Sequence, residues 1–136
     1  MIVQQYDMVK NNIILSICVD MKHNTMVLET KNEERRERVS IKFTGLFAHQ
    51  FDFVARYNIL AEIRETPVKE YILRDWKKID ENLKVGFPIL SADIVCASDL
   101  GTYITNGGWH VYDVVASAGL GGYVIAKKLE ISVVEE

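Results

Sequence analysis

At 136 residues the chain is long enough for one ordinary domain, residues 1–136, and a formal net charge of −3 gives it the wrong sign for an electrostatic grip on DNA or RNA. Its 49% hydrophobic and 26% charged content excludes a disordered tail. Two cysteines without a CxxC pair, and three histidines without HxxxH or HxH spacing, leave no zinc motif, so neither metal nor cofactor is expected.

The opening "MIVQQYDMVKNN" has no basic region followed by a long apolar one, and so does not read as a signal peptide. The longest apolar run falls far short of the ~20 residues of a membrane span, so a soluble, cytoplasmic protein is expected. "IILSICV" (13–19) is apolar at nearly every position, as a central strand covered on both sides would be. "DMKHN" (20–24) supplies turn chemistry, and "TMVLETK" (25–31) reads as the returning strand. The charges of "KNEERRER" (31–38) nearly cancel, which suits a solvated hairpin loop.

In "RVSIKF" (38–43), Val39, Ile41 and Phe43 alternate with polar residues, the period of a strand with one wet face. "TGLFAHQFDFVARY" (44–57) fits both helical and strand spacing and reads as an irregular connection anchored by phenylalanines. "NILAEIRE" (58–65) is a further strand. Thr66 and Pro67 form a helix start, and Val68, Tyr71, Ile72, Trp76, Ile79 and Leu83 recur at helical spacing, with Glu70 placed to pair with Arg74. That stripe is expected on the sheet.

Beyond "GFPIL" (86–90), "ADIVCA" (92–97) reads as a short strand or a turn of helix. "TYITNGGWHVYDVVAS" (102–117) looks like two strands around Asn106-Gly107-Gly108, and "GYVIAKKLEISVVE" (122–135) alternates as a closing strand. The expected fold is therefore α+β: a mainly antiparallel sheet with one amphipathic helix packed on it.

The glycine run Gly119-Leu-Gly-Gly122 is followed by a strand pattern. A phosphate cradle needs a helix there, so a turn is expected. Cys18 and Cys96 lie in apolar runs and read as buried and chemically quiet. Neither Cys96 nor Ser117 has a nucleophile signature around it, and Asp93, Asp99 and Asp113 are scattered, as residues at strand ends would be. His49 close to Asp52, and His110 beside Trp109, are the residues from which a binding cleft would be built.

"IKFTGLFAHQFDFV", "NILAEIRE" and "SAGLGGYVIAKKLEI" together resemble a group of small, poorly characterised bacterial proteins, some of them immunity-like partners of toxins. The resemblance implies a sheet framework ending in a glycine-containing hairpin, and carries over no catalytic residue. Its implication is a non-enzymatic protein-interaction domain, with a basic toxin domain as the partner that a mildly acidic chain would suit. The alternative is a small-molecule binding protein or hydrolase with a cleft near His49, Asp52, Trp109 and His110. Homo-oligomers through edge strands are compatible with either reading.

Overall fold

A computed structural model describes residues 8–134; residues 1–7 of the opening stretch and the last two of the closing strand pattern lie outside the described residues. Strict alternation makes the strongest strands. In β2 (Thr25–Asn32) every second residue, Met26, Leu28, Thr30 and Asn32, is buried, and β3 (Glu37–Thr44) buries Val39, Ile41 and Phe43 opposite. Before them runs β1 (Ile13–Asp20). After them come β4 (Ala48–Asp52), β5 (Ile59–Thr66), α1 (Val68–Leu83), α2 (Ala97–Gly107), β6 (His110–Ala118), β7 (Gly121–Ala126) and β8 (Lys128–Val134). The sheet order is β4-β7-β6-β5-β1-β2-β3-β8, and every pairing is antiparallel.

Chain continuity closes this order on itself. β3 runs through Gly45 into β4, and β7 runs through Lys127 into β8, so residues 37–52 and 121–134 form one bent ribbon. The Lys127 N–H donates to both Thr44 O and Gly45 O at the bend. Inside the resulting barrel pack Met26, Leu28, Ile41, Phe43, Leu60, Ile63, Tyr112 and Val114. A second core, with Tyr71, Ile79, Leu100, Ile104, Val111 and Ile125, lies where α1 and α2 cover β6 and β7 from outside. β6 is therefore buried on both faces.

The α+β class stands, with several corrections. Among the described residues there are two helices, not one: α2 occupies the region read as a strand before Asn106-Gly107-Gly108. Gly108 ends that helix in the left-handed conformation, φ 76°, so the glycine pair is a helix stop and not a hairpin turn. The stretch 44–57 contains β4, and the closing strand pattern is two strands broken at Lys127. Thr66 makes no cap, because its hydroxyl turns to Asp113, and Arg74 pairs with Asp113 and Asp75 rather than Glu70. Asp113 is in the middle of β6 and buried, not at a strand end.

Trp76 is 48% exposed rather than packed on the sheet. Asp75 has non-helical angles (φ −115°, ψ 15°), so the stripe predicted from uninterrupted periodicity does not continue through it. β1 is also not covered on both sides. It meets β5 at a single rung, Ile13 with Ile59, and leaves Leu15 46% and Ile17 37% exposed, with Cys18 exposed beside them. The helices pack on each other and on β6 and β7, and no described helix residue belongs to the core cluster that Ile14 and Val19 join. The glycine run does turn the chain, with Gly119 and Leu120 linking β6 to β7. No helix among the described residues is long and apolar enough to cross a membrane.

Candidate functional site

Two polar hollows lie at different places on this frame. The first, about 220 Å³, lies where α1 crosses β4 and β7. Arg74 from α1 reaches down to β6, its Nη1 2.9 Å from Asp113 Oδ2 and its Nη2 3.0 Å from Oδ1. The same guanidinium holds Asp75, and the Thr66 hydroxyl donates to Asp113 from β5. Burial alone pushes the Asp113 carboxyl up, but Arg74 and Thr66 outweigh it and hold the group below its ordinary value. Lys78 Nζ lies 3.7 Å from Asp52. Each cation lining this cleft thus already faces a carboxylate, which makes it a joint between helix and sheet. Beneath it Tyr71 is wholly buried next to Tyr123, and its hydroxyl makes no sound hydrogen bond. Burial raises the phenol pKa of both tyrosines.

The second hollow, about 360 Å³, lies where β1 meets β5. Ile13, Ile59 and Tyr57 form its apolar side, and Glu33 and Glu34 from the β2–β3 turn form its polar side. Among the described residues no lysine or arginine lines it. A buried amide network sets this turn. Asn12 Nδ2 donates to Thr30 Oγ1 at 3.1 Å, Asn32 Nδ2 to Asn12 Oδ1 at 2.9 Å, and the Arg35 N–H to Asn32 Oδ1 at 2.9 Å. The turn then separates the charges that cancel along "KNEERRER". Arg35 swings to Glu37 and to Met8 O, away from the two glutamates. Net charge along the sequence hides this separation, because it depends on which way each turn residue faces. The residue types that build the groove were visible; their convergence needed the β1–β2–β3 register.

The four residues expected to build a cleft are placed in separate surroundings. His49 and Asp52, three apart on β4, point to opposite faces. His49 is opposite Val124, half-buried with its pKa lowered by that burial, in a hollow with Val19, Met21 and Pro88. Asp52 lines the polar cleft. Trp109 stacks on Tyr103 at 5.5 Å and packs on Phe47 at 4.9 Å, with Lys127 over its ring, clamping α2 to the ribbon. His110 Nδ1 lies 3.3 Å from Glu65 Oε2 at an exposed strand end. Ser117 lines the acidic groove, its hydroxyl 3.4 Å from Ile59 O. Among the described residues no group of three His, Cys, Asp or Glu side chains is arranged to hold a metal ion. No protein-family model and no curated protein matches this chain.

Proposed function

We propose that this protein is a non-enzymatic protein-interaction domain whose partner presents a basic segment to the groove at Glu33 and Glu34. The supporting observation is the pair of adjacent carboxylates in an open, partly apolar groove with no cation among the described residues of its lining. A lysine or arginine of a partner would be attracted there, and its aliphatic stem would cover Ile13 and Tyr57. The cleft under α1 offers no such opportunity, because its carboxylates Asp52, Asp75 and Asp113 already face Lys78 and Arg74. A toxin-neutralising role against a basic domain is the form this reading takes when joined to the immunity-like resemblance. A reducing cytoplasm is the matching setting for two free cysteines.

Selection of random peptides displayed on phage tests the reading. Wild type should enrich sequences containing lysine or arginine, and the double variant Glu33→Gln/Glu34→Gln should lose that enrichment. Equal enrichment by both proteins would remove the groove from consideration.

A further inference from the structure

From the acidic groove, one side of β1 runs on unpaired. The rung between Ile13 and Ile59 is extended only by Ile14 N–H to Asn58 O and Leu60 N–H to Asn12 O. Beyond it, no described residue pairs with this side of residues 15–20, while β2 pairs with the other side as far as Asp20. The segment 53–57 leads into Asn58, whose carbonyl accepts from Ile14 N–H, and β4, the terminal strand of the sheet order, precedes that segment. At the far end Val19 and Met21 share a hollow with Ala48 and His49. The open edge is thus flanked by Tyr57 at its Ile13 end and by Ala48 and His49 at its far end, and Leu15 and Ile17 on it are exposed.

Residues 15–19 carry no charge, no proline and no glycine. Exposed strand edges are ordinarily blunted by charge, proline or a bulge. β5 carries charge, with Glu62 and Arg64 paired at 3.1 Å, whereas β1 has a register irregularity between Ile14 and Ser16 and pairs regularly with β2 from there to Asp20. An uncharged edge that offers main-chain donors and acceptors beyond the irregularity is met by an extended backbone, and side-chain pockets then select alternate residues. Because Tyr57 stands at one end of the edge and Ala48 and His49 at the other, a slim peptide fits it better than a second folded copy.

We propose that β1 accepts an extended, uncharged strand from the partner, antiparallel to residues 15–20, ending in a basic residue seated at Glu33 and Glu34. This mode rests on the interaction reading above and gives it a geometry. Antiparallel addition places the C-terminal end of the incoming strand at Ile13, where the two carboxylates stand. Uncharged β-branched residues match the uncharged edge, and the terminal cation matches the groove.

The test uses a synthetic peptide of three threonine–valine repeats closed by two lysines, with hydrogen exchange and fluorescence titration on the whole protein. Backbone amides within residues 15–20 should become protected on binding, and labelling of Cys18 should slow. Replacing the lysines by glutamates should weaken binding by about tenfold or more, the scale of losing one charge-assisted contact. A central proline in the peptide should abolish the protection, and Ile17→Lys should reduce binding while Glu62→Gln leaves it unchanged. Binding with no protection of residues 15–20, or protection indifferent to the proline, overturns strand addition and leaves the phage result to decide the groove on its own. No binding by the peptide at millimolar concentration also overturns it.

Discussion

Arg74 and Asp113, thirty-nine residues apart, meet through two parallel N–H···O bonds of 2.9 and 3.0 Å, and this is the main polar tie between α1 and the sheet. The two partners are unequally exposed. Asp113 is almost wholly buried in mid-strand, whereas the Arg74 side chain is 44% exposed. A carboxylate in that position is tolerable only while its donors stay in place.

Arg74→Ala should therefore destabilise the fold by about 1–2 kcal/mol, less than for a fully buried pair because water screens the guanidinium. Thr66→Val, which removes the second donor, should add to the loss less than independently, since both donors serve one carboxylate. Urea unfolding of the two single variants and the double variant would measure the coupling. Full additivity would mean that Asp113 does not join them.

The pH dependence has a definite sign. Asp113 has a folded pKa below its unfolded value, so its contribution is complete above about pH 4 and is lost as pH falls through the folded value. In Asp113→Asn the loss of stability between about pH 4 and pH 2 should be shallower than in wild type. An unchanged slope would assign acid unfolding to other carboxylates.

His49 predicts a second window. Burial lowers its folded pKa below the ordinary 6.5, so the unfolded chain takes up the proton first. Stability from the neutral imidazole is complete above about pH 6.5 and declines as pH falls below it. His49→Gln should flatten the stability curve between about pH 5 and pH 6.5, read by urea unfolding across that range. A curve that keeps its slope would show that burial of the His49 imidazole does not set it.

Tyr71→Phe should leave stability unchanged or raise it by up to about 1 kcal/mol, because it deletes a buried hydroxyl without a sound partner. Loss of more than about 1 kcal/mol would show that the hydroxyl is satisfied, with Tyr123 as its neighbour.

Alternation made β3 legible, because it buries one face and wets the other, and the turn chemistry of residues 20–24 made β2 legible as the returning strand. β5 was legible as a strand but not in its inward face: irregularities around Leu60 bury Leu60 and Ile63 in place of an alternating Ile59, Ala61 and Ile63. The helix of residues 68–83 was legible for the same reason as β3, at its own period. β1 was not. A continuous apolar run is the pattern both of a strand buried on two faces and of one with an open edge, and only the single rung to β5 distinguishes them. The Asn106-Gly107-Gly108 segment is ambiguous in a related way, since glycine with positive φ ends helices as readily as it turns hairpins. The acidic groove was hidden at a third level. It forms between a turn and a strand junction that are distant in sequence, so no local spacing signals it.

Cys18 was expected to be quiet and is exposed on the uncharged edge, while Cys96 is partly covered at the start of α2. Thiol labelling of the folded protein should modify Cys18 promptly and Cys96 more slowly. The order should vanish in denaturant. Slow labelling of both in the native state would mean that β1 is covered in solution.

Gly119 supplies the sharpest test of the β6–β7 turn. Its φ is +76°, and a Cβ there would lie 2.3 Å from Asn58 Oδ1 and 2.9 Å from Tyr57 O. The contact matters because Asn58 is a hub. Its Oδ1 accepts from Ala55 N–H and Leu120 N–H, both at 2.9 Å, and its Nδ2 donates to Ala55 O at 2.8 Å. The turn and the segment leading into β5 are therefore held by one side chain. Gly119→Ala combines left-handed strain with displacement of that amide, and should cost at least about 2 kcal/mol. Asn58→Ala removes the clash with the amide, though not the approach to Tyr57 O, and leaves the Ala55 and Leu120 donors unpaired, so the two substitutions together should cost less than the sum of the single ones. Equilibrium unfolding of all three variants decides it: strictly additive losses would show that Gly119 acts through its own backbone alone and that Asn58 is not the element it must clear.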